Sequence, residues 1–237
     1  MKKFLKWLDN YWYHYKWPTV IFAAFAVFIV IMVTQFVTRE EYDVAVLYAG
    51  PLNITPNQAR DAETEISKLI DSDLNGDGKK NCQITPFYLL TDEQASALQA
   101  EYDAKEELYF VNRAELASTQ QKFTNQISAG DGYLLLLDPY WYGILREQDL
   151  IVPLDEALGM GDGEISDISD DGYSILLSDT SFARFFTAMH VFPDDTLICL
   201  RRIPTASAFT GKSDSEKHLE YTKKLLRAMI DYSVGSD

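Results

Sequence analysis

The amino-acid sequence predicts an α/β protein: a sandwich of a mostly parallel sheet with flanking helices, preceded by one N-terminal transmembrane helix. Three observations carry that expectation. Residues 19–37 form a charge-free apolar run. Beyond it, short apolar runs of strand length alternate with longer segments of helical period, the order that builds parallel βαβ units. Several helical segments also open on recognisable start signals, a Thr-Pro pair or a Thr/Ser followed three residues later by Gln or Glu.

Residues 1–18 form a basic and aromatic flank. Lys2, Lys3, Lys6 and Lys16 stand against Asp9 alone, and Trp12, Tyr13, Tyr15 and Trp17 suit the headgroup layer of a bilayer. The nineteen residues 19–37 contain one strongly polar group, Gln35. At 1.5 Å per residue they reach about 28 Å, the thickness of a hydrocarbon core. Arg39, Glu40, Glu41 and Asp43 follow, mainly acidic. Lysines before the span and acids after it place the N-terminus in the cytoplasm and residues 39–237 outside, in a single-pass cell-membrane protein. A cleaved signal peptide would have a shorter apolar core and small residues at the cut. Here the run closes on Gln35, Phe36, Val37 and Thr38, with no cysteine nearby to take a lipid.

In the outer domain, residues 42–49 read as a buried strand stopped by Gly50-Pro51. A helix starts with Thr55 as N-cap and Pro56 at its first position, and its apolar stripe is Ala59, Ala62, Ile66, Leu69 and Ile70. A hydrophilic loop over 71–81 leads to a strand over 82–90. A capping box at Thr91 and Gln94 opens a helix to about Asp103, and a second helix is expected over 112–129. Gly130-Asp131-Gly132 breaks into residues 133–137, apolar throughout as in a strand buried on both faces. Residues 139–160 read as short helical turns around 151–154, and 159–172 as a loop of glycine and acid. Residues 196–203 make the last strand. Ser213 and Glu216 open a final amphipathic helix carrying Leu219, Leu225, Leu226, Met229 and Ile230 on one side.

Net charge is −15, and setting aside the four lysines and one aspartate of residues 1–38 leaves 17 basic and 35 acidic residues outside, a balance of −18. Such a domain repels phosphates, which argues against nucleic acid and anionic headgroups and for cations or basic peptides as partners. Cys82 and Cys199 lie far apart in apolar strand-like runs, with no CxxC spacing, which argues against zinc and thioredoxin chemistry. Two readings stay open for them: a pair of buried free thiols, or a disulfide if the domain lies outside the cell.

The stretch DSDLNGDGKKN, residues 71–81, resembles the calcium loops of EF-hands in their shortened dockerin form. Calcium takes oxygens from alternating positions with glycine at the sixth. From Asp73, the pattern sets Asp73, Asn75 and Asp77 at positions one, three and five, Gly78 at six, the Lys79 carbonyl at seven and Asn81 at nine. Position twelve, normally a bidentate carboxylate, is Ile84, and no helix follows. Counting from Asp71 puts Cys82 there instead. The missing ligand then falls to Asp71 or to a carboxylate from elsewhere. The competing reading is a plain turn, for which Asn-Gly and Asp-Gly suffice. A bound Ca2+ would be structural, pinning the helix-to-strand turn.

Residues 123–158 resemble the extracellular solute-binding proteins of ABC importers, through Phe123, Gln126, Ile127, Gly130, Asp131, Leu150, Pro153, Leu154 and Asp155. The resemblance implies one lobe of that fold, covering about half of the outer domain. It departs where Gly132-Tyr133 replaces the usual Pro-Asp, and about 200 residues are too few for two lobes. One lobe has only an open face, which favours a scaffold reused for contacts over a transporter's closing trap.

Catalytic tools are sparse: no GxSxG, HExxH or P-loop occurs. His14 belongs to the flank, His218 stands alone, and His190 reads as a half-buried structural histidine. Asp170-Asp171 and Asp194-Asp195 are acidic pairs of the kind a glycan hydrolase uses, and solvated loop carboxylates are the alternative reading. Asp138, Tyr140, Trp141 and Tyr142 sit at the end of an expected parallel strand, where open α/β sheets bind small ligands; core packing is the alternative reading of those rings. The sequence therefore points to a membrane-anchored, non-catalytic extracytoplasmic module that binds a protein partner or small molecule. A ligand sensor or importer accessory is the alternative, and a glycan-acting hydrolase the third reading.

Overall fold

The computed structural model describes residues 2–37, 42–106, 108–129, 132–159, 168–203 and 212–233. It divides into two units, residues 1–41 and 42–237. The first is a single helix, α1 (Lys2–Val37), with Pro18 inside it. Its segment Tyr11–Thr34 is long and apolar enough to cross a membrane. The side chains there are exposed, Phe22 at 74% and Ile21 at 65%, as fits lipid rather than protein around them. The Tyr11 hydroxyl lies 3.0 Å from Thr19 Oγ1, spanning Pro18. The charges at 39–41 lie outside the described residues.

The second unit is α/β, but its sheet is mixed rather than mostly parallel. Its elements in chain order are β1 (Val44–Gly50), α2 (Pro56–Ser67), β2 (Cys82–Tyr88), α3 (Asp92–Ala104), α4 (Arg113–Ala129), β3 (Leu134–Leu137), α5 (Pro139–Glu147), β4 (Ile151–Val152), α6 (Leu154–Leu158), β5 (Ile175–Leu176), α7 (Ser181–Phe185), β6 (Leu197–Arg201) and α8 (Lys212–Ile230). The strand order is β2-β1-β3-β6-β4, with β5 also on β6. β1 runs parallel to β2 and β3, as expected of βαβ units. β6 runs antiparallel to β3, β4 and β5. The reason lies in the segment before it. Leu177 N, just after β5, donates to the Thr196 carbonyl at 2.8 Å, just before β6. The excursion through α7 thus leaves and returns at one end of the paired strands, and a chain that does so runs back antiparallel, as β6 does to β5.

Both start signals in front of α2 and α3 are capping boxes, Thr55 with Gln58 and Thr91 with Gln94. Ser213 is within α8, and its side chain lies outside the described residues. The core has two layers because strand side chains alternate faces. On one face Val44, Val46, Tyr48, Leu134, Leu136 and Ile198 meet Ala62 and Ile66 of α2, Leu154 of α6 and Leu225, Leu226 and Met229 of α8. On the other, Leu47, Ala49, Leu135, Leu137 and Cys199 meet Phe123 and Ile127 of α4 and Trp141 and Leu145 of α5. All four leucines of β3 are fully buried, and each contributes about 1.5–3 kcal/mol of transfer free energy. Pro86 sits in β2, an edge strand, where a missing ladder donor is tolerated. Gly132 is needed for close approach: a Cβ there would stand 2.6 Å from Leu47 Cγ.

Candidate functional site

The loop joining α2 to β2 is ordered by its own side chains. Asp73 Oδ1 accepts from Gly76 N and Oδ2 from Gly78 N, both at 2.6 Å. Asn75 Oδ1 accepts from Asp77 N at 2.9 Å, and Asp77 Oδ1 from Lys79 N at 2.8 Å. Each is a short polar side chain turning the backbone ahead of it. Gly76 and Gly78 take φ of +78° and +83°, which an L side chain resists, so the two glycines let the chain coil around Asp73. Those donated N–H groups, Gly78 first, hold the Asp73 carboxyl below its usual range, and it is ionised at neutral pH. Lys80 Nζ reaches the Asp71 carbonyl at 2.5 Å. Ile84, at the twelfth position, is buried in β2 opposite Val46 and offers no oxygen side chain.

The residue that ties this loop down went unrecognised in the sequence, where it counted only as one more acid after the membrane span. Asp43 is fully buried. Its Oδ1 accepts from Leu74 N at 2.6 Å and Asn75 N at 3.3 Å, and its Oδ2 from Asn81 N at 2.9 Å. The Asp43 N–H in turn donates to the Asn81 carbonyl at 3.0 Å. One carboxylate thus gathers the middle and the end of the loop at the start of β1. The Asn81 side-chain oxygen is buried with no hydrogen-bond partner among the described residues. Among those residues, no group of three or more His, Cys, Asp or Glu side chains converges on one point, so any cation here relies on amide and carbonyl oxygens as well.

The aromatic candidates separate into three different roles. Asp138 caps α5, accepting from Tyr140 N at 2.8 Å. Trp141 is a core residue, 6% exposed and edge-on to Phe123. Tyr140 is 51% exposed and edge-on to Trp141. Tyr142 turns away and donates to Asp171 Oδ2 at 2.5 Å; burial, and then that neighbouring carboxylate, push its phenol up to about 12.

Asp171 is fully engaged. It accepts from Ser169 Oγ at 2.6 Å and Tyr173 N at 3.2 Å as well as from Tyr142, and the Arg146 guanidinium lies 3.8 Å away, stacked over Tyr173. Burial raises its carboxyl, but these donors outweigh it and leave the group below the ordinary range. That favours a carboxylate and disfavours a general acid. Asp194 and Asp195 are exposed in the turn before β6. His190 is exposed rather than half-buried, because it lies at the end of the surface turn after α7; its Nε2 stands 3.1 Å from the Ala183 carbonyl and carries the donated proton.

Cys82 and Cys199 are free, buried thiols. They lie on opposite faces of the sheet, in strands separated by β1 and β3. Three strand spacings put them roughly 14 Å apart, twice what a disulfide bridges. Burial pushes the Cys82 thiol up to about 12 and that of Cys199 up as well.

Arg201 was also missed. It is fully buried at the end of β6, and its Nη1 donates to the Gln126 and Ile127 carbonyls at 2.8 and 3.0 Å. Its guanidinium lies 4.7 Å from the centre of the Tyr133 ring. It therefore caps the C-terminus of α4, where a cation complements the helix dipole. Of the segment resembling solute-binding proteins, Phe123, Ile127 and Leu154 are core residues, and Gly130 and Asp131 lie outside the described residues.

One further concavity opens at the carboxyl end of the β1–β2 pair. It offers a cavity volume of about 160 Å³ between Asn53 after β1, Tyr88 at the end of β2, and the facing sides of α3 and α4, and is open to solvent on one side. No family model, curated protein or solved structure matches this chain.

Proposed function

We propose that the chain is a membrane-anchored, non-catalytic binding module whose extracytoplasmic domain carries a structural calcium loop. The observation that carries this reading is the loop at 71–81. Asp73, Asn75 and Asp77 present side-chain oxygens from alternating positions around two left-handed glycines, and the Asn81 oxygen at the end of the same loop is buried without a partner among the described residues. Both Asp73 oxygens hold N–H donors yet keep lone pairs, which supports a further role as cation ligands. Asp73, Asn75, Asp77, the Lys79 carbonyl and Asn81 would hold it; the ion would brace the α2-to-β2 turn. The apolar stretch of α1 supports anchoring, and the lysines ahead of residues 19–37 support a cytoplasmic N-terminus. Asp171 and the scattered histidines support a role without catalysis.

With no carboxylate at position twelve, calcium should bind at about 10⁻⁴ to 10⁻³ M, as in extracellular modules. At ten times Kd the folded state gains about 1.4 kcal/mol. In maltoside micelles, calcium should raise the melting temperature of the full chain, and Asp73→Ala with Asp77→Ala should abolish that rise while leaving the fold intact. A wild-type melting curve indifferent to millimolar calcium refutes the loop assignment. Protease added to intact cells should remove the domain and spare the anchor.

A second reading, a ligand sensor or importer accessory, is favoured by the cleft beside Tyr88, which lies at the carboxyl edge of parallel strands.

A further inference from the structure

The cleft between α3 and α4 has a distinctive lining. Leu98, Val111 and Leu116 give it an apolar lining, and Tyr88 and Tyr109 an aromatic one, with Tyr109 as one wall. Glu115, in the first turn of α4, is the one charged side chain among its described lining residues. Tyr102 packs against Tyr109 with ring centres 4.6 Å apart, which backs that wall. Gln99 of α3 fixes the wall's backbone: its Oε1 accepts from Val111 N at 2.9 Å and its Nε2 donates to the Tyr109 carbonyl at 3.3 Å. Glu115 is held in place by Asn112, whose Oδ1 accepts from its N–H at 3.1 Å and whose Nδ2 reaches its Oε2 at 3.3 Å. Arg113, the nearest guanidinium in sequence, is turned to Asp92 and Ser96 instead.

These features select by charge. An anion would meet a carboxylate and two tyrosine rings, whose faces are electron-rich, with no lining cation among the described residues to offset them. A neutral polyol would gain hydrogen bonds but nothing from the charge. A primary alkylammonium gains on each count: the carboxylate, the ring faces and an apolar lining for its methylene stem. The surrounding domain, at −18 overall, raises the local concentration of such cations. The geometry points to this cleft as a binding site for a primary alkylammonium group, borne either by a free amine or by a lysine side chain of a peptide. The inference rests on the reading of the domain as a binding module, and it uses none of the calcium-loop residues.

The test is titration calorimetry on the full chain in maltoside micelles with three probes of one length: pentane-1,5-diamine, pentane-1,5-diol and glutarate. The diamine should bind in the millimolar range or tighter, the diol at least threefold more weakly, and glutarate not at all. Glu115→Gln should weaken the diamine several-fold and Tyr109→Ala about 2- to 30-fold, the range of cation–π contributions; circular dichroism checks that both fold. An N-acetylated Phe-Lys-Leu amide that binds more tightly than the diamine identifies a polypeptide as the source of the group, whereas equal or weaker binding identifies a free amine. Diol binding as tight as diamine binding, or diamine binding unchanged in Glu115→Gln, overturns the proposal. If no probe binds while calcium still raises the melting temperature, the cleft assignment fails and the calcium-loop reading stands; if neither responds, both fail.

Discussion

Replacing Asp43 with alanine tests how the loop at 71–81 is held. Its carboxylate accepts three backbone N–H groups, two at 2.6 and 2.9 Å and one at 3.3 Å. Hydrogen bonds to a charged acceptor contribute about 1.5–3 kcal/mol each. The longest is weak, and the freed amides of a half-exposed loop recover part of the loss from water. The expected cost is therefore about 2–4 kcal/mol, a large share of the 5–15 kcal/mol typical of a domain. Asp43→Asn keeps the shape and one acceptor oxygen but presents an NH2 to a donor, so roughly half of that cost should remain. Urea denaturation of the full chain in micelles reads the change as a shift in midpoint at constant slope. Amide exchange supplies the local readout: Leu74, Asn75 and Asn81 should lose protection in Asp43→Ala, while amides of β3 retain theirs relative to global stability. A cost below about 0.5 kcal/mol, or unchanged exchange at all three amides, would refute the view that one buried carboxylate organises the loop.

Arg201→Met should cost about 2–4 kcal/mol in the same urea assay, because it leaves the Gln126 and Ile127 carbonyls of α4 without their donor. Arg201→Lys should fall between, since an ammonium lacks the guanidinium fork. Asp171 carries a carboxyl lowered in the folded state. Its contribution to stability is therefore complete above its unfolded value of about 3.9 and is lost as pH falls through the folded value. Melting temperatures of wild type and Asp171→Asn should thus converge as pH drops from 5 toward 2, and a constant gap between them contradicts the assignment.

Much of the fold was legible in the residues because the forces that set it are local. The nineteen-residue apolar run, the Thr55 and Thr91 capping boxes and the four leucines of β3 each announce an element within one window of chain. Strand direction was not legible in this way. The pattern of strand, helix and strand made the sheet look mostly parallel, but β6 is antiparallel because the chain from β5 through Leu177 to Thr196 folds back on itself, through contacts that no window contains. The aromatic run 140–142 looked like one surface, yet helical geometry sends Trp141 into the core, Tyr140 to solvent and Tyr142 to Asp171. The cysteines looked equivalent until the strand order and the faces of the sheet set them apart. Asp43 and Arg201 carried no signal in sequence. Their partners lie 31 to 38 and 74 to 75 residues away, and a charged residue beside an apolar run reads as surface until the fold buries it. The sequence by itself determined which segments are apolar, where helices begin and where the chain can coil around Asp73, because side-chain polarity and backbone freedom are properties of single residues. Only the tertiary structure decided which polar groups are buried, which strands run antiparallel and where the cleft opens, because those depend on which distant backbone donors and acceptors the folded chain brings together.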